Sequence, residues 1–540
     1  MSSSVHSPDV LVVGSGFAGS WAAKELTEAG WQTLVLEAGP PRAARDVPRR
    51  FPSSSDEPAD EPALGPGCAA PRLDGALPAT LPTPVGDPGQ HVQRVHPGFG
   101  PRGPHLFVDD DEHPYRTPDD QPYHWIRGMQ IGGRSLTWGG TALRLSRYEL
   151  DAAPLDGCTL AWPVRYETLA PFYALVEDVL CPTGSREGLP QLPDSRFRHE
   201  PPALTPAEKD FREAYRPPGT HPVPVRFIPD EGGREGWPRF TMQANALAAA
   251  ERTGRLELRP NAVATDVTID QDSGRATGVR YVDTTTGARH HVTARIVFLC
   301  AGTVETARLM LNSRGPRHPD GLGNTSDWVG RGLMDHPVLA ASGVLDGHPP
   351  ADGYEWSARQ RGLMVPPAPT TGDVRPFGLW VTLQRLTADG VPVGSIDAQG
   401  EMLPYRHNRV RLDDGRTDRW GVPTPVIECA YGPHEDRLYT AMREAVAHAA
   451  EAAGLRLTGV ADALTVPGLN VHDMGTARMG ADPATSVVDA NNACWDCPNV
   501  FVTDGACFPG GGWQNPTLTI MALSARAGRH AAGLLRDGVW

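Results

Sequence analysis

Three glycines and one acid near the amino terminus have the types and spacing that hold a dinucleotide. Gly14, Gly16 and Gly19 stand in VVGSGFAG, directly after the apolar run Val10 to Val13, and Glu37 closes the next apolar run in LVLEAG. If the block is strand, tight turn and helix, each position has a physical task. Gly14 permits the turn, Gly16 lets backbone come up to a pyrophosphate, and Gly19 lets helix and strand pack closely. Phe17 and Ala18 fall in the first helical turn, whose N–H groups carry positive partial charge. Glu37 stands where a carboxylate accepts from both adenosine-ribose hydroxyls. A GxGxxG by itself is weak evidence, but strand, helix and acid at these distances together predict a dinucleotide site.

The elements that must carry such a site are legible along the chain. Residues 10 to 36 read strand, turn, helix, strand, the start of a βαβ unit. LELRPNAVATDVTID, TGVRYVDTT and RIVFLCAG read as later strands, and the last is expected to return to the first sheet. YETLAPFYALVEDVL has helical spacing and is expected to lead away from the nucleotide domain. Residues 349 to 431 alternate apolar and polar positions as antiparallel strands do, and Pro433 opens a helix ending near Gly454 whose His434 and His448 read as surface residues. A helix of about twenty residues closes the chain from Pro516.

Bulk properties exclude several classes. At 540 residues the chain is too long for one small core, so two domains or one domain with a large insert are expected. A net charge of −14 with no basic run argues against nucleic acid or an anionic membrane as partner. No apolar window approaches the roughly 18 residues of a membrane span. MSSSVHSPDVLVVG shows no basic n-region or cleavage site, which predicts a cytoplasmic protein. Cys494 and Cys497 in CWDC lack two further ligands at suitable spacing, so no metal is expected. Oligomeric state is left open.

Several blocks together resemble the glucose-methanol-choline oxidoreductases, flavoproteins that oxidise alcohols. They are VVGSGFAG with Glu37, RGMQIGGRSLTWGG, FLCAGTVETARLML, VGRGLMDHP, HDMGTARMG and FVTDGACFPGGGWQNPTLT. GGRSLTW and WQNPTLT look most like the pyranose oxidase and glycoside 3-oxidase branch. The resemblance implies FAD, with His472 and Asn515 flanking the flavin ring as a His-Asn pair. A neutral imidazole can take the hydroxyl proton of an alcohol while flavin N5 takes the carbinol hydride, and an amide can orient and polarise the same oxygen. His472 is thus the implied base and Asn515 the positioning group.

The same resemblance assigns cofactor contacts to Arg127, Gly132, Gly133, Ser135, Thr137, Trp138 and Gly139, to Ala301 and Gly302, and to Asp504 and Gly505. It places Val263 where strand backbone holds adenine. It sets Asn515, Pro516 and Thr517 at the start of a helix whose dipole favours charge on flavin N1 and O2. Some sugar-oxidising relatives carry a flavin-linked histidine where this chain has Thr137, so the FAD is expected to be non-covalent.

The expected fold is α/β. A Rossmann-like FAD domain is assembled from residues 1–45, 114–165, 240–345 and 466–540, and residues 46–113 form a Pro-rich surface excursion. A substrate domain on an antiparallel sheet with flanking helices takes 166–239 and 346–465. The expected activity is oxidation of a carbinol group of a sugar, glycoside or related polar alcohol, with oxygen or another electron acceptor. Two alternatives stand beside it: a flavin-containing hydroxynitrile-lyase-like enzyme, and a dehydrogenase subunit that passes electrons to a protein or quinone.

Overall fold

Five short parallel strands form one sheet, in the order Val500–Val502, Ile296–Leu299, Val10–Val13, Thr33–Leu36 and Leu256–Arg259. The computed structural model describes residues 7–47, 89–96, 99, 103–151, 158–230, 232–348, 362–368, 374–386 and 391–540. The first four strands of the sheet are apolar or nearly so along their whole length because both faces are covered. Alternation sorts their side chains. Val10, Val12, Val35, Ile296 and Phe298 meet Ala18, Ala22, Ala527 and Ala531 of the helices Phe17–Glu28 and Thr517–Arg536. Leu11, Val13, Leu34, Leu36, Val297 and Leu299 face the opposite way, into a core shared with Val267, Val279 and Tyr281. Those three belong to an antiparallel sheet of Ala262–Ile269, Ala276–Asp283 and Arg289–Thr293.

The second layer is a six-stranded antiparallel sheet. Its order is Leu455–Val460, Val338–Leu345, Pro392–Gly400, Phe377–Leu386, Leu363–Val365 and Val223–Pro224. Helix Pro433–Ala452 covers one face through Leu438, Met442, Val446 and Ala449, spaced so that all four lie on one stripe. This is the mixed α/β architecture expected from the sequence. No helix among the described residues is long and apolar enough to cross a membrane.

Tertiary packing moves several of the expected boundaries. Val338–Leu345 pairs with Pro392–Gly400 and so belongs to the antiparallel sheet, not to the FAD domain that was drawn to residue 345. Helix Tyr166–Leu180 does not leave the nucleotide domain. Its stripe Leu169, Tyr173, Val176 and Leu180 joins the main core, and the Tyr173 hydroxyl lies 2.8 Å from Thr519 Oγ1 on the last helix. The surface excursion expected over residues 46–113 is corrected where it is described, because Phe99, Leu106 and Phe107 are buried in that same core. Residues 48–88 of that excursion lie outside the described residues. The hairpin Arg409–Thr417 and Pro423–Glu428 is a separate sheet, with a turn that reaches back to the FAD domain. His448 is exposed as expected, but His434 is buried and its Nε2 accepts from the Arg375 N–H at 2.9 Å.

Candidate active site

The glycine turn shows why those residues are glycine. Gly14 has φ +95, and a Cβ there would stand 2.4 Å from the Cys300 carbonyl oxygen; one at Gly19 would stand 1.8 Å from that of Gly14. Gly16 is different. Its φ of −67 suits any residue, and a Cβ would meet nothing within 4 Å because it would project into open space. Gly133 comes up from the other side, so that its own missing Cβ would be 3.2 Å from Gly16 Cα. Glu37 ends the neighbouring strand and is buried. One carboxylate oxygen accepts from Ser15 N at 3.0 Å and Ser15 Oγ at 2.6 Å, the other from Gly39 N at 3.0 Å. Ser15 Oγ in turn accepts from Gly132 N at 3.0 Å, which ties the two glycine-bearing loops together.

These groups open onto a cleft of about 1520 Å³, part of it open to solvent. The strand order sets its course. Glu37, Ala38 and Val263 lie on one flank, Gly14 to Ala18 with Gly133 in the middle, and Ala301, Gly302, Asp473, Asp504 and Gly505 on the other. Arg127 lines it, stacked over Trp125 with its guanidinium carbon 3.7 Å from a ring centroid. Burial lowers the Arg127 pKa to about 10, which leaves it cationic at neutral pH. Its Nε is buried without a hydrogen-bond partner among the described residues. An open cradle at Gly16, a helix start, a buried acid and a buried cation suit the pyrophosphate and ribose of FAD.

Not every expected contact faces this space. Ser135 is buried and its hydroxyl accepts from Met242 N at 3.1 Å, so it braces the loop. Trp138 packs edge-on against Phe17 at 4.8 Å, Thr137 caps its own turn, and Gly139 is exposed. Asp504 reaches the cleft, but one carboxylate oxygen accepts from Gly302 N and Thr306 Oγ1 at 2.8 and 2.5 Å, stapling two strand ends. At the last helix Ile520, and not Pro516 or Thr517, lines the cleft.

The histidine and the amide meet beside the cleft, next to Asp473. Asn515 Nδ2 lies 2.9 Å from His472 Nε2. Each loop is pinned from below. Trp513 is fully buried against the antiparallel sheet, where a Cβ at Gly378 would stand 2.5 Å from its ring, and its carbonyl accepts from Gln399 Nε2 at 2.9 Å. On the other loop Val471 has φ +55, a left-handed conformation that costs a β-branched residue about 1–3 kcal/mol. Asp335 offsets that cost by accepting from Gly468 N, Asn470 N and His472 N at 2.7, 3.1 and 3.0 Å. Even at the roughly 0.5–1.5 kcal/mol of an ordinary hydrogen bond, three of them hold the strained loop. Arg134 adds bonds to Val471 O and Asp473, and the Tyr123 hydroxyl donates to Asp473 at 2.5 Å.

Asp335, His336, Tyr123 and Asp473 were not singled out from the sequence. The available signal was a pair of adjacent titratable residues, Asp335-His336, inside the otherwise apolar and glycine-rich block VGRGLMDHP. Burial pushes the Asp335 carboxyl up to about 7, with the charge of Asp473 adding to it. Burial lowers His336 to about 4. The folded ring therefore refuses a proton that the unfolded chain accepts below pH 6.5. This contribution to stability is fully present above pH 6.5 and is lost as pH falls towards 4, amounting to roughly 3 kcal/mol. Urea unfolding between pH 7 and 4.5 is expected to show a shallower acid loss in His336→Gln than in the parent. Parallel slopes would remove His336 from this account.

A parallel sheet with a dinucleotide-type cleft along its strand ends, a separate antiparallel sheet, and an imidazole beside that cleft are the features of a flavin-dependent oxidoreductase. Two family models described as GMC oxidoreductase match residues 219–338 and 404–524, and one described as an FAD binding domain matches residues 9–45. The chain is 29% identical to 2-methyl-1,2-propanediol dehydrogenase of Mycolicibacterium austroafricanum, over 99% of this chain and 97% of that one. It is 30% identical to 6'''-hydroxyparomomycin C oxidase of Streptomyces lividus, over 83% and 88%. The solved structure of formate oxidase from Aspergillus oryzae RIB40 shares the fold, with a TM-score of 0.65 at 15% identity, covering 98% of this chain and 99% of that one. This chain belongs to the GMC oxidoreductase family and is an FAD-dependent oxidoreductase.

Proposed function

We propose that the protein oxidises a carbinol group of a sugar, glycoside or related polar alcohol to a carbonyl. The observation that carries this reading is the 2.9 Å approach of Asn515 Nδ2 to His472 Nε2, beside a cleft suited to FAD. An alcohol oxygen that reaches both atoms as their direct contact opens would give its proton to His472 Nε2 and accept from the Asn515 amide. The amide stabilises the alkoxide character that develops as the C–H bond weakens, and it fixes which carbon faces the cofactor. Bound FAD supplies the acceptor for the carbinol hydrogen and its two electrons. Thr137 offers a hydroxyl where a linking histidine would stand, so the cofactor is held without a covalent bond. Relatives named as a 2-methyl-1,2-propanediol dehydrogenase and a 6'''-hydroxyparomomycin C oxidase support a hydroxylated substrate.

The test is an anaerobic screen of sugars, glycosides and small diols against the FAD-loaded protein, following the flavin absorbance. Bleaching by a polyol is the expected result. A flavin that no alcohol reduces, in a protein that cleaves cyanohydrins, would replace oxidation with the lyase alternative.

A further inference from the structure

We propose that His336 is a positioning residue that fixes His472 as its Nδ1–H tautomer, leaving the Nε2 lone pair directed at the substrate hydroxyl. The inference rests on the reading of His472 as the base, and it adds how that base is kept in the one neutral form that can act.

His336 is fully buried, and its Nε2 lies 2.8 Å from Gly512 O. A carbonyl oxygen only accepts, so Nε2 carries the proton. Burial keeps the ring neutral, with a pKa lowered to about 4, so its Nδ1 is bare. That bare nitrogen lies 2.9 Å from His472 Nδ1. Two lone pairs do not pack at that distance, so the shared proton belongs to His472. A neutral His472 protonated at Nδ1 is bare at Nε2, the atom that faces Asn515 Nδ2. The polarity runs one way through the site: Asn515 donates to His472, His472 to His336, and His336 to Gly512. No link needs a charge.

The same chain says what His336 does not do. Its Nε2–H donates to a carbonyl, which takes up no proton, and burial opposes a second proton on the ring, so it does not carry the substrate proton onward. His472 keeps that proton, and its Nδ1–H bond to His336 is present before and after it does. Asp335 holds the backbone of the His472 loop and the adjacent His336 holds the ring, with Asn470 Nδ2 donating to His336 O at 2.5 Å to close the pair.

The test uses the FAD-loaded full chain labelled with ¹⁵N in its histidine rings, with His472→Asn identifying the His472 signals. The expected spectrum shows Nδ1 protonated and Nε2 bare. In His336→Leu, which has no acceptor, the two tautomers mix and anaerobic flavin reduction slows by at least about 10-fold, since a misplaced tautomer disables a base held in good geometry. His336→Gln restores both, because its Oε1 accepts from Nδ1–H while its amide donates to Gly512 O. A His472 protonated at Nε2 in the parent overturns the proposal, as does a glutamine variant as slow as the leucine one. If His336→Leu does not fold, the parent spectrum decides by itself. If no alcohol reduces the flavin, the proposed function fails while the tautomer measurement still stands.

Discussion

Replacing His472 by alanine is expected to leave the purified protein yellow and to slow anaerobic reduction of its FAD by roughly 10²-fold or more, the scale of a lost general base. His472 lies beside the cleft and not among the residues that line it, so its removal leaves the dinucleotide contacts of Gly14 to Gly19, Glu37 and Arg127 in place. Substrate affinity should change less than the reduction rate, because the histidine matters most once the hydroxyl proton is in transit. The measurement is stopped-flow absorbance with the best polyol from the screen. A reduction rate equal to that of the parent would take His472 out of the chemistry and leave Asn515 without its partner.

A larger effect on binding is expected from Gly16→Val. The backbone there already has φ −67, so valine enters without strain, and its side chain projects where the structure leaves open space at the edge of the cleft. The fold should survive with an unfolding temperature close to that of the cofactor-free parent. The cofactor should not. Displacing a pyrophosphate from two backbone N–H groups forfeits about 1.5–3 kcal/mol per bond, or some 10²- to 10⁴-fold in Kd. Titration of the cofactor-free protein with FAD, read by quenching of flavin fluorescence, measures this. A valine variant that purifies as yellow as the parent would show that the turn does not hold the pyrophosphate. Gly14→Val makes a contrast, since a Cβ 2.4 Å from a carbonyl oxygen at φ +95 damages the fold itself.

Legibility in the sequence followed the range of the interactions. The βαβ start could be read because its signals are local: an apolar run, a turn only glycine can make, and an acid one strand later. Strand Ile296–Leu299 could be assigned to the first sheet because a fully apolar four-residue run fits a strand covered on both faces. Helix Tyr166–Leu180 was misplaced because its stripe of Leu169, Tyr173, Val176 and Leu180 announces that one side is buried but not what buries it. Residues 103–113 were misjudged for a related reason. Proline and aspartate suggest a loop, yet Leu106 and Phe107 enter the core while Asp110 takes bonds from Val92 N and Gln93 Nε2.

By itself, then, the chain's order of residues determined the nucleotide cradle, the class of cofactor, and two loops bearing an imidazole and an amide. Only the tertiary structure decided that these loops converge to 2.9 Å, that Asp335 and His336 stand beneath them, and that a turn of the hairpin 409–428 helps to line the cleft. The physical reason is that a turn or a helical stripe is selected by neighbours a few positions away. The direction of a hydrogen bond between His336 and His472 depends instead on burial and on a carbonyl 176 positions along the chain, which no local pattern encodes.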